Sequence, residues 1–334
     1  MLSHVLLTLA TLATASALGR GLPPAVQTTH RATAVRVTVL STMLAGDPAR
    51  GVGEWGYSAL LEIDGKRLLL DTGARPETVL DNARELGIDL STVTDLVLTH
   101  NHDDHTGGLR TLRRELSARN PAALSRIHVA RGIFWDRITA GQVGQSSVTK
   151  MRAELEAEGA TFLEYDKPTE LLPGVWFTGP VPRKYPERNW SVPGNNSAVT
   201  ALVRTPTGDV EDNVPDDASV VIDTPEGLIL VSGCGHAGIV NTVEFARAAI
   251  REAPVVAAIG GFHLFRATDE QLAWTAGKLK VVGLMYLLGG HCTGIEAVYR
   301  IRQLAGLTRR TAVVSAVGST FTRGVGISAL ALAG

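Results

Sequence analysis

Residues 99–108 read Thr-His-Asn-His-Asp-Asp-His-Thr-Gly-Gly, which puts three histidines and two carboxylates within six positions. Burying that much polarity costs free energy unless something compensates the lost hydration. A divalent cation does so, because neutral imidazole nitrogen and carboxylate oxygen are good donors for zinc, manganese or iron. The flanks decide how the tract is presented. Leu96–Thr99 reads as a short apolar strand, and Gly107-Gly108 lets the chain turn sharply into a helix over Leu109–Ala118. Two positions apart after a strand, His100 and His102 can point the same way and share one cation. Asp104 and His105 are then left to face a second. Any fold open to this chain must end a strand at a metal-holding loop.

The rest of the chain supplies strands and helices in alternation. Ala34–Leu40 alternates apolar and polar residues, as a half-buried strand does. Tyr57–Ile63 and Lys66–Leu70 flank Asp64-Gly65, a pair that supplies the positive φ values of a type I′ hairpin turn. Helices are expected over Thr78–Leu86 and Met151–Gly159, and Arg110, Arg113 and Arg114 are read as solvated charge on the Leu109–Ala118 helix. Strands Ser219–Asp223 and Leu228–Ser232 precede a helix over Asn241–Ile250. Strand Val255–Ile259, helix Asp269–Lys280, strand Gly283–Leu288, helix Gly294–Leu304 and strand Thr311–Val317 follow.

Two stretches break this rhythm. Residues 167–218 are rich in proline and read as a lid-like insertion, since long irregular segments in compact domains usually serve binding. Their basic loop offers Arg183, Lys184 and Arg188 to an anionic small-molecule substrate. Residues 1–33 form an apolar extension outside the domain, which occupies 34–334. Within it, Ala15-Ser16-Ala17 follows an apolar run as a signal-peptide cleavage site would, yet no basic residue precedes that run. Export and a cytoplasmic location both stay open, and the run is shorter than the ~20 residues of a membrane span.

Composition removes other classes. The formal net charge is −1, so the basic footprint of a nucleic-acid binder is missing. Two cysteines cannot build a disulfide framework, although Cys234 and Cys292 could pair in an oxidising compartment. The oligomeric state leaves no trace in the sequence.

Further motifs join the histidine tract: Leu68–Gly73 (Leu-Leu-Leu-Asp-Thr-Gly), Leu230–Asn241 around Cys234 and His236, Gly260–Leu264 around His263, and Gly289–Gly294 around His291. With His100-x-His102-x-Asp104-His105, this set resembles the metallo-β-lactamase-fold hydrolases. Within them it is most similar to the branch named for 7,8-dihydropterin-6-yl-methyl-4-(β-D-ribofuranosyl)aminobenzene 5′-phosphate synthase. The resemblance runs from Ala34 to Phe321.

It implies a four-layer αββα sandwich, an α/β fold of two mixed sheets with helices on the outer faces. It implies two divalent metal ions as cofactors, with His100 and His102 on the first and Asp104 and His105 on the second. Cys234 stands where the family places a bridging aspartate, so Cys234 or His236 completes the site, and a thiolate there favours Zn²⁺ over Mn²⁺ or Fe²⁺. The last histidine is His291, with His263 as the alternative. No histidine lies between His128 and His236, so Glu211, Asp212, Asp216 or Asp217 is a further candidate donor. Asp71 is expected to accept an N–H from a ligating histidine, and His128 is expected to be structural. The activity implied is hydrolysis of an ester, lactone or phosphoester by a metal-bound hydroxide, with Asp104 and His105 catalytic. The alternatives are a synthase joining a pterin to an aminobenzene ribosyl phosphate, or a metal-binding module without catalysis.

Overall fold

Strands that are apolar on both faces cannot leave either face in water, and the layering follows from covering both. The computed structural model describes residues 30–187 and 201–331. It begins with β1 (Val35–Ser41), β2 (Ser58–Ile63), β3 (Lys66–Leu70), α1 (Thr78–Glu85), β4 (Asp95–Leu98), α2 (Asp103–Thr106) and α3 (Leu109–Ser117). There follow β5 (Arg126–Ala130), β6 (Arg137–Thr139), β7 (Gln142–Gly144), α4 (Ser147–Ala157), β8 (Thr161–Tyr165), β9 (Thr169–Leu172) and β10 (Val175–Phe177). Next come β11 (Leu202–Thr205), β12 (Gly208–Glu211), β13 (Ser219–Thr224), β14 (Gly227–Ser232), α5 (Ile239–Ala249), β15 (Val255–Gly260) and α6 (Asp269–Val281). The described chain closes with β16 (Tyr286–Gly289), α7 (Ile295–Ala305), β17 (Ala312–Val314), β18 (Thr320–Thr322) and β19 (Gly326–Ser328).

The first sheet has the order β19-β18-β1-β2-β3-β4-β5-β8 and the second β17-β16-β15-β14-β13-β10-β9, each mixing parallel and antiparallel pairs. A small sheet, β12-β11-β6-β7, stands apart. Alternation along each strand sorts side chains between layers. Ala59, Leu61, Leu68 and Leu70 meet Val220, Ile222, Ile229 and Val231 between the two large sheets. Leu60 and Leu69 point the other way, into a cluster with Val79, Leu112 and Leu155 from α1, α3 and α4. Leu228 and Leu230 lie under Val243, Leu279 and Ile301 of α5, α6 and α7. Helix, sheet, sheet, helix is the order of layers.

The local readings largely hold, with instructive exceptions. Asp64 and Gly65 turn with φ values of 46° and 77°, as the type I′ hairpin requires. β1 departs from the half-buried reading: Arg36 is its one exposed residue, because both of its faces are covered. Arg113 is the clear correction. It is 2% exposed, and its guanidinium donates to the carbonyls of Pro121, Ala123 and Glu158. Arg110, by contrast, pairs with Glu154 at the surface.

Within 167–218, β9 and β10 form an edge of the second sheet, and β11 and β12 join the small sheet. Arg188 and residues 1–29 of the apolar extension lie outside the described residues. Among the described residues no helix is long and apolar enough to cross a membrane.

Candidate metal centre

Five loops carry the candidate donors, and each leaves the C-terminal end of a strand. Asp71 follows β3, His100 follows β4, Cys234 follows β14, His263 follows β15 and His291 follows β16. Parallel pairing of β3 with β4, of β14 with β15 and of β15 with β16 brings these ends to the same edge of the two sheets. Open sheets present ligands at such carboxyl ends. Here two sheets do so together. The contact is close: a Cβ at Gly233 would stand 2.2 Å from Thr99 Oγ1 and 2.4 Å from Asp71 Oδ2. Only glycine lets β14 run into its loop against the first sheet.

The donors fall into adjacent groups. His100, His102 and His236 form one, their ligand atoms within 4.8 Å of one another, and Asp104, His105, Cys234 and His291 form a second on the same criterion. The rings of His100 and His105, one from each group, have centroids 4.2 Å apart. In the second group His105 Nε2 lies 3.2 Å from Cys234 Sγ, and His291 Nε2 lies 3.2 Å from Asp104 Oδ2. His263 belongs to a third group, with Cys234 and His236. So His291, and not His263, stands with Asp104 and His105. The carboxylates of residues 211–217 enter none of these groups. Asp212 and Asp216 pair with Arg137, and Asp217 accepts from the Ala237 amide.

Asp71 orients the cluster from behind. Its Oδ2 lies 2.7 Å from His105 Nδ1, and the carboxylate also accepts from the Thr99 amide and hydroxyl at 2.8 Å each. With Nδ1–H donated to Asp71, His105 turns Nε2 toward the second group. Outside the site, His128 bridges Asp95 and Tyr165 at 2.9 and 3.0 Å, a structural arrangement.

The electrostatics suit a cation. His100 and His105 are fully buried, and His236 and Cys234 nearly so. Burial and the neighbouring His105 and His102 rings hold His100 well below the usual imidazole range, and burial pushes His102 down to about 4. Both therefore carry free lone pairs at neutral pH. Burial raises the Asp104 carboxyl, but His105 and His291 outweigh it and hold the group ionised. Burial lowers His105, and the carboxylates of Asp104 and Asp71 outweigh it. His100 Nε2 is buried with no hydrogen-bond partner among the described residues. Buried polar atoms ordinarily find partners, so this nitrogen fits a metal ligand and little else.

Around the site, Trp55 and Phe265 carried no sequence signal, whereas Cys292, Arg183 and Lys184 were singled out by the sequence. Trp55 lies 4.9 Å from the His291 ring and 5.7 Å from Phe265, giving the second group an aromatic flank. Cys292 places its Sγ 3.1 Å from Cys234 Sγ; both thiols are free. Arg183 donates to the carbonyls of Asn213 and Val214, and the Lys184 amide donates to Asn241 Oδ1.

Comparison with known proteins agrees with this geometry. The profile of the metallo-beta-lactamase superfamily matches residues 55–247. The chain is 30% identical over 270 residues to a 7,8-dihydropterin-6-methyl-4-(beta-D-ribofuranosyl)-aminobenzene-5′-phosphate synthase of Methanocaldococcus jannaschii, covering 79% of this chain and 89% of the relative. An uncharacterized protein of the same organism is 27% identical over 258 residues, covering 75% and 88%. The crystal structure of Tm1679, a metal-dependent hydrolase of the beta-lactamase superfamily, superposes with a TM-score of 0.62 at 25% identity, covering 80% of this chain and 92% of that one. Sequence match, shared architecture and converging donors lead to one assignment: the chain belongs to the metallo-beta-lactamase superfamily.

Proposed function

We propose that the chain is a metal-dependent hydrolase of a small-molecule ester, lactone or phosphoester, with two divalent cations held by the two adjacent donor groups. The observation that carries this reading is the convergence of seven donor side chains, from loops of both sheets, into groups whose ligand atoms lie within 4.8 Å of one another. Thiolate at Cys234 favours zinc over manganese or iron. When bound, such a cation pair supplies Lewis acidity, acidifying a coordinated water and stabilising negative charge that develops on the substrate.

The chain's own residues do the rest. Asp71 fixes His105 in one tautomer and orientation. Asp104, whose side chain is 22% exposed, links the buried second group to solvent and is placed to carry the proton. Arg183 and Lys184, with Arg188, are the candidate grip on an anionic part of the substrate, supported by their charge.

A second reading rests on the Methanocaldococcus relative: synthesis of a pterin-bearing aminobenzene ribosyl phosphate at the same centre. One experiment separates the readings. Metal content is measured, then turnover is followed on ester, lactone and phosphodiester panels and on a pterin-plus-aminobenzene ribosyl phosphate pair, before and after chelation. Hydrolysis that disappears with the metal and returns with zinc is expected. Metal-dependent pterin product without hydrolysis would establish the second reading, and turnover indifferent to chelation would overturn both.

A further inference from the structure

Immediately ahead of β13, Asp216, Asp217 and Ala218 are all buried, and each bonds a loop that carries a donor of the all-histidine group, His100, His102 and His236. Asp216 Oδ2 accepts from the Asn101 amide at 2.8 Å, between His100 and His102. The Ala218 amide donates to the Thr99 carbonyl at 3.0 Å, one residue before His100. Asp217 Oδ2 accepts from the Ala237 amide at 2.9 Å, one residue after His236. The first two bonds hold a loop of the first sheet and the third a loop of the second. One short span therefore sets where the two loops stand relative to each other. Two carboxylates expected from the sequence as further metal donors act on the donor loops instead.

The loop of His236 does not fix itself. That residue stands between Gly235 at φ 61° and Gly238 at φ 98°, and glycine leaves a backbone many conformations. A zinc–imidazole bond of ~2.0–2.1 Å tolerates little error in loop position. Burying Asp216 and Asp217, at 0% and 1% exposure, is costly. Arg137, 2.5 Å from Asp216 Oδ1, offsets part of that cost. The four-donor group, Asp104, His105, Cys234 and His291, has anchors of its own. Asp71 holds the His105 ring, the Thr72 amide donates to the His105 carbonyl at 2.8 Å, and the His291 amide donates to Thr42 Oγ1 at 3.0 Å.

Resting on the metal-centre reading above, we propose that Asp216 and Asp217 are positioning residues for the cation of the all-histidine group. They set how tightly that position holds its metal and leave the four-donor position unaffected.

The test is binding of cobalt and of zinc to the full chain in competition with a chromophoric chelator, read without turnover. The native chain is expected to take two equivalents. Asp217→Ala is expected to weaken one of them at least tenfold, the scale on which partners of metal ligands act. The cobalt–thiolate charge-transfer band, which marks the position of Cys234, is expected to keep its intensity and so to report an intact fold. Asp217→Asn retains an acceptor oxygen for the Ala237 amide and is expected to restore most of the lost affinity. Asp216→Ala is expected to act as Asp217→Ala does. Unchanged affinity at both positions in the two alanine variants, equal weakening of both positions, or an Asp217→Asn chain as impaired as Asp217→Ala would overturn the proposal. Failure of the metal-centre reading is seen separately, as a native chain that takes up no cation.

Discussion

Cys234 and Cys292 are chemically identical, equally buried and 3.1 Å apart, yet only Cys234 stands in a group with histidine and carboxylate donors. Its Sγ lies 3.2 Å from His105 Nε2, which makes Cys234 the proposed thiolate ligand, while Cys292 packs behind it. Cobalt substitution tells them apart, because thiolate coordination gives an intense near-ultraviolet charge-transfer band. The band is expected in the native chain and in Cys292→Ser, and is expected to vanish in Cys234→Ser. A spectrum that loses it in Cys292→Ser alone would reverse the assignment. At this scale the sequence was informative where donors are local. His100, His102, Asp104 and His105 sit in one short tract, and Cys234, His236, His263 and His291 each sit in a glycine-marked loop. It misplaced Arg113 at the surface, because a run of arginines on a helix looks solvated until the three carbonyls that hold one of them are known. Asn101 and Arg137 were equally hidden, since Asp216, the residue tying them together, lies 115 positions beyond Asn101.

At the scale of elements, α5 is anchored by a carboxylate from a distant loop. Glu187 accepts from the amides of Val240 and Asn241 at 3.2 and 2.8 Å, at the helix N-terminus where negative charge is favoured. Gly238, at φ 98°, leaves room for it, since a Cβ there would stand 2.2 Å from Glu187 Oε2. Burial nevertheless outweighs those two bonds and pushes Glu187 from its ordinary 4.5 up to about 7. A folded value above the unfolded one means that this group's contribution to stability is complete below pH 4.5. That contribution is lost as pH rises through 7. Urea unfolding is expected to show a decline on the order of 3 kcal/mol between pH 4.5 and 8 that Glu187→Gln flattens. An unchanged slope in the variant would refute it. Element boundaries were readable where caps are explicit: the helix expected at Asp269 begins there, behind a capping box of Thr268 and Gln271. The β6–β7 hairpin was not, because three-residue strands are too short to show a period.

For the whole molecule, the donor groups tie two sheets together. His100, His102, Asp104 and His105 come from the first sheet's loops, and Cys234, His236 and His291 from the second's. Each of the first two groups draws on both, so a bound cation is also a cross-link between layers. Stability is therefore expected to depend on free metal, by about 2.7 kcal/mol per site at a hundredfold excess over Kd. Chelation is expected to lower the unfolding midpoint accordingly, and a midpoint independent of zinc concentration would count against shared coordination. The layered fold itself was legible through the family resemblance, while the apolar strands alone left open which face met which neighbour.

The pairing of β18 with β1 has a further consequence. In synthesis β1 emerges long before the strand that shields its outer edge, since Thr38 pairs with Thr320. Until β18 arrives, that edge offers unpaired amides and carbonyls to any passing chain. A nascent polypeptide of this design is safest when the segment reaching Thr322 arrives quickly, and one cut short before Ser319 would carry a permanent invitation to aggregate.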